Sequence, residues 1–203
     1  MDLYYRQITF LPKYKNNEAL VGRCLKILHG VCKKHEEDGI SIVNTIAVSF
    51  PMWDKHTIGE KISFISPTPL EIDHLLQQHY FSEMVSLGYF QISKLTIVPK
   101  GCDHGTFRRN QKIDQSTPNG QRIRAERLAK RAMDRSESPI RFTPKDLVFD
   151  HYHSIPITST RRGKSFRLNL QYQQLNTVTD GRWAFSSYGL ANQELESCPV
   201  PVI

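Results

Sequence analysis

Residues 61–76, KISFISPTPLEIDHLL, contain the strand-to-helix junction that decides the fold of the first half of the chain. Residues 61–65 are predicted to form a strand. Thr68 then caps a helix that has Pro69 at its first position and Glu71 at the capping-box spacing. The sequence predicts that this helix continues to about residue 88. Its apolar positions are Leu70, Leu75, Leu76, Tyr80 and Met84.

The segments on either side of this junction extend the pattern. Residues 2–11 alternate between apolar and polar side chains, as a half-buried strand does. Residues 16–37 are predicted to form a helix, residues 40–50 a strand and residues 89–98 a last strand. The order β-α-β-β-α-β is that of a ferredoxin-like domain. We therefore predict such a domain over residues 1–98, with two helices on one face of its sheet.

The second half, residues 99–203, is predicted to be an RNA-binding domain of different character. A loop leads to a basic helix over residues 121–135, and a short helix is predicted over residues 144–150. Three strands follow, near residues 152–157, 165–172 and 183–188, and are expected to form a small sheet. The predicted fold class is therefore α+β, with a ferredoxin-like domain, an arginine-rich helix and a small C-terminal β domain.

The positive charge of the chain is concentrated in one segment. The net charge is +7, yet residues 99–165 hold 15 Lys and Arg against 7 Asp and Glu. The rest of the chain holds 12 against 13 and is nearly neutral. A basic block of this kind indicates a polyanionic partner, most simply nucleic acid.

Several classes of protein are disfavoured by composition. No run approaches the roughly 18 consecutive apolar residues of a membrane helix, and the first residues do not form a signal peptide. We therefore expect a cytoplasmic protein with no membrane partner. The four cysteines include no C-x-x-C pair, which suggests neither a zinc site nor a disulfide framework. His151 and His153 are spaced to ligate a metal from one strand face, but without a recognisable third ligand we favour a structural or RNA-contacting role. We expect neither metal nor cofactor.

The basic helix carries a stripe of guanidinium groups. Its members, spaced so that they share one helical face, are Arg124, Arg127, Arg131 and Arg135, with Lys130 beside them. Arginine forks suit phosphate oxygens and guanine edges, so we interpret the stripe as RNA-binding. Arg108, Arg109 and Gln111 lie upstream in a predicted interdomain loop. They can read bases of a stem, although an ordinary polar linker would have the same composition.

His29 is the candidate general base. It lies just beyond the edge of the apolar arc of the first helix, where an imidazole is half-shielded but can be reached by a substrate. Gly22 and Gly30 lie beyond His29 on the less apolar side of the helix and suggest a close approach to that face, since glycine costs about 1 kcal/mol relative to alanine inside a helix. The chain has eight histidines, so an ordinary boundary residue is the alternative interpretation.

Together these motifs resemble the CRISPR-associated endoribonuclease family of type I-F systems, in which one subunit matures the guide RNA. The resemblance runs through nearly the whole chain. Its segments in order are LKILHG with His29, AVSFPMW, GEKISF, FRRNQ, RIRAERLAKR, SFRLNL and SYGL. FRLNL, SSYGL and the closing PVPVI are most similar to the branch of the family that is carried on Tn7-like transposons.

The resemblance implies an active site and a reaction. His29 would be the general base, Tyr188 would orient it, and Ser159 would position the ribose. The implied reaction is metal-independent cleavage of the CRISPR repeat hairpin by the 2′-hydroxyl, which leaves a 2′,3′-cyclic phosphate. Arg161 stands where the family places a second serine.

The resemblance also implies how the RNA is held and where the protein remains after cleavage. Phe166 would stack on a base, Arg109 and Gln111 would read stem nucleotides, and Arg127, Lys130 and Arg131 would grip the backbone. The protein would remain on the 3′ hairpin as a subunit of the Cascade surveillance complex, contacting target DNA only through that complex. In the transposon branch the complex recruits a transposition-targeting protein.

Two other functions remain open at this point. The first is a catalytically weak or inactive subunit that caps the RNA hairpin and recruits partner proteins, which Arg161 favours. The second is a basic DNA-binding accessory protein, which would have no hairpin preference and no use for His29.

Overall fold

A computed structural model describes most of the chain. The described residues are 2–11, 16–37, 45–138, 148–158, 163, 165–175 and 181–203. Ser159 and Arg161 lie outside them, as do residues 40–44 of one predicted strand and residues 144–147 of the predicted short helix.

The first sheet has five strands: β1 Tyr4–Phe10, β2 Ala47–Ser49, β3 Lys61–Ser66, β4 Phe90–Ile92 and β5 Thr96–Ile97. The order is β2-β3-β1-β4, with β5 also pairing to β1, and the paired strands are antiparallel. Helix α1, Asn17–Glu37, connects β1 to β2, and the chain returns from β3 to β4 through helices α2 and α3. Each crossover skips the strand that lies between its ends, which is the split βαβ pattern of the ferredoxin-like fold. The predicted α+β class and ferredoxin-like domain are confirmed.

The predicted single helix over residues 68–88 is wrong, because α2, Pro69–Leu76, and α3, His79–Ser86, are separate helices. Gln78 between them is extended, with φ −60° and ψ 135°. At 100° per residue, an unbroken helix would put Phe81 opposite Ile72. Both side chains are fully buried, so the chain bends at Gln78 to turn both toward the core.

The predicted strand over residues 89–98 is also interrupted. β4 pairs with residues 8–10 of β1, and β5 pairs with residues 4–5. Between them the Ser93 hydroxyl accepts a hydrogen bond from the Gln7 backbone N–H at 2.9 Å. The Arg6 guanidinium donates to the Ser93 carbonyl at 3.0 Å. The side chains of Ser93 and Arg6 therefore supply hydrogen-bond partners for backbone groups where the pairing of β1 passes from β4 to β5.

The second sheet lies C-terminal to the first. Its strands, in the order β7-β8-β6-β9, are β6 His104–Arg109, β7 His153–Thr158, β8 Ser165–Leu175 and β9 Val200–Pro201. Two helices, α4 Gln111–Ser116 and α5 Pro118–Asp134, follow β6. The predicted loop at Arg108–Arg109 is wrong, since both residues belong to β6 and Gln111 begins α4. The basic helix starts at Pro118, where the Thr117 hydroxyl accepts from the Gly120 N–H at 3.1 Å.

A third strand predicted over residues 183–188 is wrong. Apart from an isolated bridge at Arg182, this segment is irregular and ends in a turn. The segment is instead bonded to the region of β2: the Trp183 indole donates to the Thr45 carbonyl at 2.7 Å. The Val48 N–H of β2 donates to the Gly189 carbonyl at 2.9 Å. The segment thus fastens the C-terminal part of the chain to the first sheet.

Helix α1 lies against both halves of the molecule. A Cβ at Gly22 would be 2.2 Å from the Pro156 carbonyl oxygen, so the close approach expected at Gly22 is that of β7. Apart from the neighbouring backbone of α1, no described protein atom lies within 4 Å of a Cβ built at Gly30, so this position faces open space. Buried apolar side chains from both sheets form one continuous core, although the sheets fall on either side of residue 99. None of the described helices is long and apolar enough to cross a bilayer.

Candidate active site

His29 lies in the fourth turn of α1 and is held from two sides. Its Nδ1 is 2.7 Å from the Ser187 hydroxyl oxygen. The ring of Tyr188 is stacked on the imidazole, with centroids 4.4 Å apart and an interplanar angle of 4°. The edge contact and the face contact together restrict both tilt and rotation of the imidazole, which is half-buried.

The turn over residues 186–190 places these two partners. Gly189, with φ +71°, adopts a left-handed conformation that glycine tolerates. A Cβ at this position would lie 2.8 Å from Val48 Cγ1 and 3.0 Å from Leu28 Cδ2. The turn is therefore pressed against β2 and against the residue of α1 that precedes His29. This contact brings a late segment of the chain onto its first helix.

Tyr188 is kept in its neutral form. Burial raises the pKa of its phenol, and the positive charge of Arg109 partly offsets this effect. A phenol with an ordinary pKa of about 10 is already neutral at pH 7, and the raised pKa extends the neutral form of Tyr188 to more alkaline pH. The end of β6 lies beside this turn, because Arg108 forms an isolated bridge with Ala191, directly after residues 186–190.

Arg109 has a defined orientation. Its guanidinium donates to Asp114 Oδ2 of α4 at 2.7 Å. The other carboxylate oxygen of Asp114 accepts from the Asn169 amide of β8. Arg109 is therefore fixed between the His29 site and α4, with part of its donor fork satisfied by the protein.

Arg108 and Gln111 face an open cleft next to this position. The cleft has a volume of about 720 Å³ and lies between the β6–α4 junction and the turn over residues 191–197. Arg108, Arg109 and Gln111 are on its first wall, and Asn192 and Glu194 are on the second. The residues predicted to read bases thus converge on a surface that can admit a nucleotide.

The arginine helix α5 projects a basic face into solvent. Arg124, Arg127, Lys130 and Arg131 are exposed. Within the described residues, no carboxylate pairs with Arg127, Lys130 or Arg131. Glu126 of the same helix pairs with Arg122 instead. Like charges on one helix repel each other unless anions lie between them, so this face is suited to a polyanion.

Arg135 stands apart from the predicted stripe. It is the C-cap of α5, with φ −100° and ψ 2°, and not a member of its last turn. Its guanidinium is 3.7 Å from the Glu137 carboxylate. The guanidinium of Arg135 therefore has a carboxylate partner, whereas those of Arg127 and Arg131 have none among the described residues.

Phe166 lies near the start of β8, opposite Ile157 in the register. Its ring is half-buried and packs against the core, so only part of it is exposed for stacking on a base. Ser159 lies outside the described residues, so its distance from His29 is not defined by the structure.

His151 and His153 take part in an aromatic cluster around Trp53. The Trp53 indole donates to His151 Nε2 at 3.1 Å, and the buried His153 ring stands edge-on to Trp53 with centroids 4.4 Å apart. His153 Nε2 also bonds to the Asp54 carbonyl oxygen at 2.8 Å. In the described part of the chain, no group of three His, Cys, Asp or Glu residues is arranged to hold a metal ion. Through their contacts with Trp53 and Asp54, His151 and His153 join the two halves of the molecule.

Two residues of this site were missed by sequence reasoning, namely Ser187 and Asp114. Ser187 precedes Tyr188 in the motif SSYGL, but nothing in the sequence shows that its hydroxyl would reach α1. Asp114 follows Arg109 by five residues, and that spacing would have suggested the ion pair if a strand and a helix had been predicted there.

The sequence profile of the family described as "CRISPR-associated protein (Cas_Csy4)" matches residues 5–202. Because the match extends over nearly the entire chain, the protein belongs to this family of CRISPR-associated proteins. A search of curated proteins gave no significant match.

Two solved structures are similar to this chain at low identity. The CRISPR RNA processing endoribonuclease Cas6b is 13% identical, with 85% of this chain and 87% of that chain covered and a TM-score of 0.27. The CRISPR-associated protein Cas6 is 12% identical, with 86% and 88% covered and a TM-score of 0.28. These TM-scores are low, so the assignment to a family rests on the profile match.

Proposed function

We propose that this protein is an endoribonuclease that cleaves CRISPR repeat hairpins in precursor guide RNA without a metal ion. The observation that carries the proposal is the imidazole of His29, held by Ser187 and Tyr188 and bordered by Arg109. A base fixed in this way beside groups that bind RNA is the minimum that cleavage of RNA by its own 2′-hydroxyl requires.

In the proposed reaction, His29 takes the proton of the 2′-hydroxyl as its oxygen attacks the adjacent phosphorus. The bond from phosphorus to the 5′-oxygen breaks, and that oxygen takes up a proton from water as it leaves, while His29 later returns its own proton to solvent. The products are a 2′,3′-cyclic phosphate and a 5′-hydroxyl end. Positioned acid–base groups typically contribute about 10²- to 10⁴-fold to such a step. Ser159 is proposed to align the ribose.

The hairpin is proposed to lie along α5 and over the end of β6. Arg124, Arg127, Lys130 and Arg131 would contact phosphates and groove edges near the loop, where an RNA helix end can admit a side chain. Arg109 and Gln111 would read stem bases, and Phe166 would stack at the foot of the hairpin. The ion pair with Asp114 supports this role for Arg109, because it limits the rotamers that the guanidinium samples before RNA arrives.

The same arrangement favours retention of the product. Cleavage at the foot of the stem leaves the contacts to the stem unchanged, so we propose that the protein remains on the 3′ hairpin as a Cascade subunit. Target DNA would be reached only through that complex. The further proposal of a transposon-encoded system with a transposition-targeting partner is supported by the resemblance of residues 166–170, 186–190 and 199–203 to that branch.

The test uses a labelled repeat hairpin in excess EDTA, with the parent protein and His29→Ala. We expect the parent to cut in EDTA, and His29→Ala to bind equally well but not to cut, because phosphate contacts supply most of the affinity. Loss of cutting in EDTA would contradict metal independence, and full activity of His29→Ala would contradict its role as the base. A parent that binds tightly and leaves the hairpin whole would establish the capping function instead.

A further inference from the structure

The hydroxyl of Ser187 is a hydrogen-bond partner of His29, at 2.7 Å from Nδ1, and it is not needed to form the turn that carries it. The Gly189 N–H donates to the Ser186 carbonyl at 2.8 Å, and the Ser186 N–H donates to the Leu190 carbonyl at 2.9 Å. The Ser186 hydroxyl accepts from the Leu190 N–H at 3.2 Å. Backbone groups and the Ser186 hydroxyl close the turn, so the Ser187 hydroxyl is not needed for it. The role that we assign to the Ser187 side chain is therefore its contact with His29.

We propose that Ser187 is a positioning residue that holds the imidazole of His29 through Nδ1 and stabilises its protonated form, an inference that rests on the proposed function. The Ser187 hydroxyl can donate to Nδ1 or accept from Nδ1–H; in the tautomer that carries its proton on Nδ1, the lone pair of the neutral ring is on Nε2. Nε2 then takes the proton of the 2′-hydroxyl. The resulting imidazolium still donates from Nδ1 to Ser187, and a bond from a charged donor is stronger.

The charges around the imidazole make this hydrogen bond more important. Neutral Tyr188 covers one face, and Arg109 acts on Tyr188 from the end of β6. On α1 itself, Lys26 precedes His29 by three residues and Lys33 follows it by four. Cationic neighbours disfavour a protonated ring, whereas a hydrogen bond to the charged form favours it. Removal of the Ser187 hydroxyl is therefore expected to lower the pKa of His29.

The experiment has two readouts, single-turnover cleavage of a labelled repeat hairpin and an NMR titration of His29 in the RNA-free protein. We expect Ser187→Ala to cut at least about tenfold more slowly, with unchanged hairpin affinity, from the loss of a hydrogen bond to a charged group. The pKa of His29 should fall by about one pH unit. Ser187→Thr keeps a hydroxyl and should restore both values.

Ser186→Ala is the matched control, because it removes the neighbouring hydroxyl, whose bond is to the backbone. It should leave the pKa of His29 unchanged. An unchanged pKa of His29 in Ser187→Ala would overturn the inference, as would a cleavage rate equal to that of the parent. If the parent binds the hairpin but does not cut it, the proposed function fails. In that case the NMR titration still tests the role of Ser187. A lower pKa of His29 in Ser187→Ala would support control of the imidazole by Ser187, and an unchanged pKa would refute it.

Discussion

The rings of His29 and Tyr188 are parallel, with centroids 4.4 Å apart and an interplanar angle of 4°. Tyr188 therefore contacts the imidazole through the face of its ring, while the hydrogen bond to the ring edge comes from Ser187. The two contacts constrain different motions, since stacking limits tilt and the hydrogen bond limits rotation within the plane. This division of roles leads to separate expectations for the two residues.

Tyr188→Phe should keep most of the cleavage activity, because it preserves the stacked ring and removes only the hydroxyl. Tyr188→Ala should slow cleavage by about two- to tenfold, as an aromatic contact stabilises by about 0.5–1.5 kcal/mol beyond burial. Single-turnover rates on one hairpin measure the difference. If the phenylalanine variant is as slow as the alanine variant, the hydroxyl and not the ring is what His29 needs.

Tyr188 should also contribute to a loss of stability at alkaline pH. Burial raises the pKa of its phenol, so as the pH rises the unfolded state loses this proton before the folded state does. The stabilisation is complete below the unfolded-state pKa of about 10 and is lost as pH rises through the higher folded-state value. Urea unfolding at about pH 8 and about pH 10.5 should show a smaller fall for Tyr188→Phe than for the parent. An equal fall in both proteins would refute this assignment.

Neutralising Arg127 and Arg131 together should weaken hairpin binding and flatten its salt dependence. Removing one phosphate contact should reduce the log–log slope by about 0.7 to 0.9. Arg122→Ala is the matched control, since Arg122 lies on the same helix but is paired with Glu126. Fluorescence anisotropy at several salt concentrations gives the slopes. An unchanged slope in the double variant would mean that α5 does not face the RNA.

Gly189→Ala should destabilise the protein by about 1–3 kcal/mol, through the strained φ and the crowding of Val48 and Leu28. It should also slow cleavage, because the displaced turn carries Ser187 and Tyr188. Gly30→Ala is the control within α1. With open space around it, that change should stabilise the helix by up to about 1 kcal/mol. Urea unfolding measures both effects, and a neutral Gly189→Ala would show that the turn has room to shift.

Ser159→Ala should slow cleavage and leave hairpin affinity intact, if its hydroxyl aligns the 2′-oxygen. A group that only aligns the nucleophile acts mostly in the transition state. Single-turnover kinetics of the parent and the variant on one hairpin provide the comparison. A silent substitution in an active parent would assign the ribose contact to another side chain.

Local sequence determined those elements whose signals are contained within a few residues. Thr68-Pro69 was enough to place the start of α2 at Pro69, although the Thr68 side chain makes no capping hydrogen bond. The alternation of residues 2–11 was enough to identify β1. The concentration of positive charge after residue 99 predicted the exposed basic face of α5. Such features were predictable because caps, prolines and periodicity act through neighbours along the chain.

Only the tertiary structure decided where the chain bends and which distant groups meet. Residues 104–109 form a strand because β8 and β9 supply hydrogen-bond partners. Local hydrogen bonds close the turn over residues 186–190, but its position against α1 and β2 is set where Gly189 docks on Val48 and Leu28. The contact of Ser187 with His29 depends on that docking. No local pattern encodes it, since the free energy that holds the turn comes from packing between segments far apart in sequence.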